Sequence, residues 1–537
     1  MNANISPIPP LLVFRGRVEE AAYRDPLIPS YRDNLFIEAL PPIWTTEEAA
    51  RLLMRYPAYN EQDRAQPSEL RLHLIQNAVQ FFEPLPIHLD LEQRFSRVIR
   101  AGYQARNPIE PGFWHDVRGK VQSLGPNQAS QACARSTAVG FTILGISGVD
   151  KTTAVEAILS LYPQIIFHRR YHDRDFNWVQ VVWLKLDCPF DGSIKGLCTN
   201  FFQAMDSLLG THYYQYYARR GRGTTDEMMP HIARVCSIHG LGVLVIDEIQ
   251  HLSEAKSGGS SKMLNFFVQL VNTIGVPVIP VGTYKAFSVL TGEFRQARRG
   301  TGQGDLVWDR MAENDVWQLF VESLWRYQYV RTPSSLTPEL SHALYEVSQG
   351  ITDFAVKAYM LAQIRAITTG EECVRENIIR SVAADSFRLA NPVLSALRRG
   401  DERAILNVED IHPINLDTYI QSALQDVPMT SRLRETSPTD ASGSPAAPGR
   451  ETVEASTSGF KQQASASSAK KPKQSRPNNS GQRSKNSKRD QRLSPSRNPL
   501  QEVVAHGEKR KVAAYESLQQ AGFMKPALEF LEGSTIP

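Results

Sequence analysis

The chain has 537 residues, of which 42% are hydrophobic and 22% charged, a composition ordinary for a soluble protein of several domains. No apolar run approaches the ~18–20 residues of a membrane-spanning helix, and five scattered cysteines without a CxxC pair exclude a disulfide framework and a Cys-based zinc site. The net charge of +4 is unevenly distributed: residues 431–500 hold 14 Lys and Arg against 5 Asp and Glu, so they carry +9 and the remaining chain carries −5.

The pattern along the chain divides it into regions. Residues 1–125 combine proline-rich openings with helical periodicity, at 68–82 and 89–101, which predicts a mostly helical N-terminal region. In 126–330, short apolar, β-branched runs alternate with helix-length amphipathic segments; these runs are residues 140–144, 179–184, 243–246 and 278–281. Such alternation predicts an α/β core with a parallel sheet flanked by helices. Residues 331–425 contain helical patterns only and predict a helical lid.

The most specific motif is the stretch GISGVDKTT, which lies between an apolar run and a helical pattern. It matches the phosphate-binding loop GxxxxGK[ST] at every specified position except one, and the backbone N–H groups of such a loop wrap phosphate oxygens at a helix N-terminus. We expect ATP phosphates to contact Gly145, Ser147, Gly148, Asp150, Lys151, Thr152 and Thr153. The lysine would reach the β and γ phosphates, and the Thr152 hydroxyl would bind Mg²⁺.

One loop position departs from the motif, because Asp150 stands where the pattern has glycine. The aspartate adds bulk and a negative charge next to an anionic ligand. At ~4 Å this repulsion would cost about 1 kcal/mol in water and about 4 kcal/mol at an effective dielectric constant of 20. We therefore expect ATP affinity and turnover below those of a glycine variant.

Two further strands predict the rest of a nucleotide site. The run VLVIDE ends in Asp247, a candidate Mg²⁺ ligand, and Glu248, which would orient and deprotonate the attacking water. The run VIPVGT ends in Thr283, which would sense the γ-phosphate, because parallel sheets bind ligands at strand carboxyl ends. The alternative for Thr283 is an ordinary turn residue.

The basic stretch has 15 serines in 431–500 and few apolar residues, so residues 426–500 are expected to form a disordered linker. Apolar residues recur among charged ones in 501–537, which predicts an amphipathic helix that docks on a partner protein. The alternative is that this helix folds back on the chain's own body.

With these motifs in this order, the sequence resembles the AAA+ ATPases. It resembles more specifically the TnsC/TniB family of transposition regulators of Tn-seven-like elements. Besides the phosphate loop, the segments that carry the resemblance are residues 83–108, 183–198, 245–252 and 294–311. The resemblance spans about residues 70–397. It implies an ATP- and Mg²⁺-dependent protein that assembles as a ring or helical filament on double-stranded DNA.

The resemblance also implies partners and further site residues. A target selector of the TniQ/TnsD kind would bind residues 1–125, transposase subunits of the TnsA/TnsB type would bind the C-terminal peptide, and the location would be the bacterial cytoplasm. Arg310 resembles an arginine finger acting on the neighbouring subunit's ATP, and Lys357 resembles a sensor 2 residue. The alternatives for the finger are Arg295, Arg298 and Arg299, and all of these could be exposed surface cations.

DNA contact requires a local cationic patch because the body of the chain is acidic. The candidates are Arg219, Arg220, Arg222, Lys256 and Lys262, each of which could instead be an ordinary exposed cation. Two other functions remain open. The same core occurs in helicase loaders and replication initiators, and Asp150 could silence hydrolysis and leave a DNA scaffold.

Overall fold

The computed structural model describes residues 15–123, 136–218, 224–254, 259–286, 290 and 302–400. The predicted linker, 426–500, and the predicted partner-binding peptide, 501–537, lie outside the described residues. None of the helices in the described ranges is long and apolar enough to cross a membrane.

The N-terminal region is mostly helical, as predicted. After the short strand β1 (Val18–Glu20) come helices α1 (Leu35–Glu38), α2 (Thr46–Leu53), α3 (Ser68–Ile75), α4 (Pro86–Gln104) and α5 (Phe113–Ser123). The helix predicted at 68–82 ends at Ile75 and continues as a 3-10 turn. Helix α4 begins with a proline, which suits the first helical turn, and extends the helix predicted at 89–101 in both directions. Its residues Leu91, Phe95, Val98 and Ile99 recur on one face and are fully buried.

A five-stranded sheet forms the core of the structure. Its strands are β2 (Ile143–Gly145), β5 (Trp183–Asp187), β6 (Val243–Asp247), β7 (Val278–Gly282) and β8 (Leu306–Trp308). Their order is β5-β6-β7-β2-β8 and every pairing is parallel. The carboxyl ends of β2, β6 and β7 therefore lie side by side at one edge, where the predicted site residues follow them.

Helices cover both faces of this sheet, as the β-branched runs predict. The helices after β2, β5 and β6 are α6 (Lys151–Leu159), α7 (Ile194–Leu209), α8 (Thr225–Ile238) and α9 (Gly259–Gln269). In β6, Val243 and Val245 face the cluster that includes α4 and α6, whereas Leu244 and Ile246 face the cluster that includes α7, α8 and α9. Alternate residues of a strand point to opposite faces of the sheet. A strand that contributes to hydrophobic clusters on both faces must therefore be apolar along its whole length.

The prediction of one strand at 179–184 is wrong. This stretch contains the end of β4 (Arg174–Val181) and the start of β5, which belong to different sheets. Strand β4 pairs antiparallel with β3 (Ile165–Tyr171), and β3 pairs parallel with β1. The apolar run is continuous across the boundary because Val181 and Val182 are both fully buried. Hydrophobicity therefore does not mark the change of sheet.

Helix α10 (Asp315–Trp325) follows β8 and ends the predicted core region. The helical lid predicted at 331–425 comes next, with helices α11 (Pro338–Ser348), α12 (Thr352–Thr368), α13 (Glu376–Ser386) and α14 (Asn391–Arg399); its residues 401–425 lie outside the described part of the chain. The lid also contacts the N-terminal region, because buried Arg71 on α3 donates two 2.7 Å hydrogen bonds to the carboxylate of Glu372. Removing either partner of such a bidentate, buried ion pair would strongly destabilise the fold, because the remaining charge would be left without compensation.

Candidate functional site

The phosphate loop connects the end of β2 to the start of α6. Gly145 allows the backbone of β8 to approach closely, because a Cβ at this position would overlap the carbonyl oxygen of Trp308. Gly148 has a φ of +87°, a conformation that favours glycine. Asp150 has a φ of +62°, which aspartate adopts more readily than most residues. The loop backbone therefore keeps its left-handed turn with aspartate in the glycine position.

The loop lysine contacts the loop itself. The ammonium of Lys151 donates hydrogen bonds to the carbonyl oxygens of Gly145, at 3.1 Å, and Ile146, at 2.7 Å, and its side chain is buried. Ser147 is half-buried and Thr153 is exposed. Lys151 thus lies across the turn at the N-terminus of α6, where backbone N–H groups and the helix dipole also favour an anion.

The two predicted Mg²⁺ ligands lie together, although 95 positions separate them in the chain. The Thr152 hydroxyl donates a 2.8 Å hydrogen bond to Asp247 Oδ2, and Asp247 is buried. No cluster of three or more His, Cys, Asp and Glu side chains suited to a metal occurs among the described residues. A hydroxyl and a carboxylate nevertheless fit Mg²⁺, which takes few protein ligands and completes its shell with phosphate and water oxygens.

A buried lysine that was not predicted from the sequence lies next to Asp247. Lys185 on β5 lies 3.2 Å from Asp247, 3.1 Å from Asp187 and 3.2 Å from Glu156. Burial alone would lower the pKa of Lys185, but the surrounding carboxylates, Asp247 foremost, together raise it above its ordinary value. The residue is therefore a permanent cation next to a predicted metal ligand.

The predicted catalytic and sensor residues are connected by one amide. The side chain of Gln250 donates to a carboxylate oxygen of Glu248 and accepts a 3.1 Å hydrogen bond from the backbone N–H of Thr283. Among the described residues, the buried Thr283 hydroxyl has no hydrogen-bond partner. An unpartnered buried hydroxyl costs on the order of 1–3 kcal/mol, and a γ-phosphate oxygen or the attacking water would supply a partner.

We expect Gln250→Leu to lower the ATP hydrolysis rate on the order of tenfold, with little change in ATP affinity. The leucine is of similar size but cannot hold the Glu248 carboxylate, and small displacements of a catalytic group are costly. The measurement is steady-state phosphate release together with the ATP dissociation constant. Gln269→Leu, at an exposed position on α9, is the matched control. An unchanged rate in a variant of unchanged melting temperature would contradict this role.

The carboxylate of Asp150 lies near the lid. Burial raises the pKa of the Asp150 carboxyl to about 6; the hydrogen bond with Thr352 lowers it, the charge of Asp353 raises it, and the charges of Lys357 and Lys151 lower it. The phosphate loop also bonds to the lid through its backbone, since Gly148 O accepts 3.2 Å hydrogen bonds from Thr352 Oγ1 and Asp353 N. The first turn of α12 is therefore attached to the phosphate loop.

The predicted sensor 2 residue belongs to the same contact. Lys357 forms a 2.7 Å ion pair with Asp353, one turn earlier on α12, and is half-buried. Both charges lie close to Asp150. The structure thus brings Lys357 near the phosphate loop, and its contact with nucleotide remains a prediction.

A cavity of about 310 Å³ adjoins the phosphate loop and was not predicted from the sequence. Apolar groups from the start of α4, the loop, the end of β8 and α10 line it, among them Leu85, Ile87, Val149, Met311 and Val316. Burial lowers the pKa of the neighbouring His88 to about 4, so this lining residue is neutral at pH 7. Asp309 and Arg310 also border the cavity, and its apolar part next to the phosphate loop suits the flat base of a nucleotide.

The predicted arginine finger contacts its own chain. The Arg310 guanidinium donates to Gln349 Oε1 at 2.9 Å and to the carbonyl oxygen of Leu397 at 3.3 Å, both in the lid. Its action on a neighbouring subunit remains a prediction. The alternative finger residues, Arg295, Arg298 and Arg299, lie outside the described residues.

Most predicted DNA-contact residues also lie outside the described part of the chain: Arg219, Arg220, Arg222 and Lys256. Lys262, on α9, is described and partly exposed, and its ammonium forms a 2.5 Å ion pair with Asp226. This pairing reduces the charge that Lys262 could offer to a phosphate. Its role at DNA remains a prediction.

Comparison with known proteins gives one family match. Residues 134–290 match the family described as AAA domain. No curated protein matches the chain significantly.

Several solved structures resemble the chain at low sequence identity. The Aeropyrum pernix ORC1 protein, solved in complex with DNA, is 15% identical, with a TM-score of 0.32 over 60% of this chain and 95% of its own. Cdc6p from Pyrobaculum aerophilum is 13% identical, with a TM-score of 0.36 over 65% of this chain and 86% of its own. A Walker-type ATPase of Pyrococcus abyssi is 14% identical, with a TM-score of 0.31 over 58% and 88%. Likenesses at this level carry no inference about activity or partners.

The family match covers the phosphate loop, both carboxylates that end β6 and the strand before Thr283. These are the elements that the parallel sheet brings to one edge. The chain therefore contains a P-loop domain of the AAA+ family.

Proposed function

We propose that this chain binds ATP with Mg²⁺, hydrolyses it, and uses this cycle to assemble on double-stranded DNA as a regulator of transposition. The observation that carries the ATPase part is the hydrogen bond between Thr152 and Asp247. Glu248 follows Asp247 directly, and Thr283 follows the neighbouring strand β7. Residues from three strand ends converge there with the chemistry that phosphoryl transfer requires.

The roles follow from the geometry. Lys151 would exchange its two loop carbonyl partners for phosphate oxygens, and Thr152 and Asp247 would hold Mg²⁺, which neutralises developing phosphate charge. Glu248 would orient a water molecule for attack on the γ-phosphorus and accept its proton. The bond between the γ-phosphorus and the oxygen that bridges the β and γ phosphates would break, which releases ADP and phosphate. The hydroxyl of Thr283, which has no hydrogen-bond partner in the part of the chain that the structure describes, would donate to the γ-phosphate.

The transposition part of the proposal rests on the sequence resemblance of residues 83–108, 183–198 and 294–311 to the TnsC/TniB family. The same resemblance suggests a TniQ/TnsD-type selector, transposase subunits, other copies of this chain and double-stranded DNA as partners. DNA would be held through backbone phosphates without base recognition, so its binding should weaken steeply with salt.

The test is assembly on DNA, measured with the full chain and random-sequence duplex by electron microscopy. We expect rings or filaments with ATP and none with ADP or with the Lys151→Ala variant, which loses the phosphate contact. The Lys195→Ala variant, changed at an exposed lysine of α7, should assemble normally. ATP hydrolysis without any ATP-dependent assembly would refute the DNA-bound regulator while leaving the ATPase, and an absence of ATP binding would refute both.

A further inference from the structure

A single cation lies at the centre of a carboxylate cluster built from three elements. The ammonium of Lys185, in the middle of β5, is within 3.2 Å of Glu156 on α6, Asp187 at the end of β5 and Asp247 at the end of β6. The side chains of Lys185 and Asp247 are 7% and 4% exposed. Charges this well shielded from water interact strongly and require mutual compensation.

Lys185 contacts the same carboxylate oxygen of Asp247 that bonds to Thr152, the other predicted Mg²⁺ ligand. Asp247 Oδ2 accepts the hydrogen bond from Thr152 and is also the oxygen next to the lysine. Asp247 Oδ1 accepts a 2.9 Å hydrogen bond from the backbone N–H of Glu248. Both carboxylate oxygens of Asp247 therefore have partners, and one of these partners, the Lys185 ammonium, carries a full positive charge.

We infer that Lys185 is a charge-compensating residue of the nucleotide site, whose ammonium offsets the Asp247 carboxylate and makes ATP binding less dependent on Mg²⁺. The inference rests on the proposed binding of ATP. Lys185 and its three carboxylate partners together carry a net charge of −2. Without the lysine the three carboxylates would carry −3, and this charge would repel the polyphosphate of ATP. Lys185 would thus act on the nucleotide indirectly, by offsetting the charge of Asp247.

The direction of the effect separates this role from a purely structural one. Loss of the ammonium penalises free ATP more than Mg·ATP, because Mg²⁺ replaces the missing positive charge. Lys185→Met should therefore raise the ratio of the ATP dissociation constant in EDTA to that in Mg²⁺, by roughly fivefold or more. A lysine that only held Asp247 in position would produce a lower ratio, since a displaced Asp247 would bind Mg²⁺ less well.

The experiment titrates the full chain with a fluorescent ATP analogue in excess Mg²⁺ or in excess EDTA. Glu156→Gln removes a negative charge and should lower the ratio, and the Lys185→Met/Glu156→Gln double variant should return toward wild type. Lys195→Met, at an exposed position on α7, is the control and should leave the ratio unchanged. Circular dichroism checks that each variant folds.

Each outcome supports or overturns the inference. If Lys185→Met does not fold, Glu156→Gln still tests it, because the side chain of Glu156 is 31% exposed and its loss leaves the lysine paired with two carboxylates. An unchanged ratio in these variants, or a change of the opposite sign, would overturn it. If the wild-type chain binds the analogue in neither condition, the proposed ATP binding fails instead, which is a distinguishable result.

Discussion

The Glu248→Gln variant should bind ATP with near wild-type affinity and hydrolyse it at least ~100-fold more slowly. Glutamine keeps the size of the side chain and can still pair with the Gln250 amide, but it cannot accept the proton of the attacking water. General base catalysis typically contributes on the order of 100- to 10,000-fold. The measurements are single-turnover phosphate release and the ATP dissociation constant.

The same variant tests whether hydrolysis ends DNA-bound assembly. We expect assemblies of Glu248→Gln on DNA to persist longer after dilution than those of the wild type. Glu322→Gln, at an exposed position on α10, is the matched control and should change neither hydrolysis nor lifetime. Unchanged lifetimes with a lost hydrolysis rate would contradict the proposed disassembly mechanism, and an unchanged rate would remove Glu248 from the catalytic site.

The Asp150→Gly variant should bind ATP on the order of tenfold more tightly than the wild type. At pH 7 the Asp150 carboxyl is mostly ionised, because its pKa of about 6 lies below the pH, so it repels the phosphates. Glycine also adopts the left-handed backbone conformation of this position without strain. The measurement is the ATP dissociation constant in excess Mg²⁺.

The Asp150→Asn variant separates charge from bulk. Asparagine tolerates the positive φ and keeps the volume of the side chain, so it should recover most of the gain if charge is the cause. Asp150 also lies beside Thr352 at the start of α12, whose hydroxyl bonds to the phosphate loop at Gly148 O. If that lid contact supports ATP binding more than the charge opposes it, both variants would bind ATP more weakly, and the repulsion argument would be wrong.

Local patterns are sufficient to predict the principal residues of the candidate site. The phosphate loop needs a strand, a glycine-rich turn and a helix in direct succession, so Gly145 to Thr153 could be read as one segment. Asp247 and Glu248 can likewise be recognised locally, because they come at the end of a single apolar strand. Because parallel strands end at one edge of a sheet, these segments together predict a common site.

Residues without a local pattern were not predicted from the sequence. Lys185 interrupts an apolar strand as a single charge, and its meaning depends on Glu156 and Asp247, which lie on other elements. Gln250 follows the Asp-Glu pair, but its link to Thr283 crosses between two strand ends. The cavity beside Val149 is lined by residues from four separate parts of the chain.

The sequence by itself determined the AAA+ class, the parallel sheet covered on both faces and the order of its phosphate loop, carboxylate strand and sensor strand. These properties depend on periodicity and short spacing, which a single chain displays directly. Only the tertiary structure decided that Lys185 pairs with Asp247, that Asp150 lies near the lid and that Arg310 bonds to its own lid. Such contacts join residues that lie far apart in the chain, and packing sets their partners, so no local pattern encodes them.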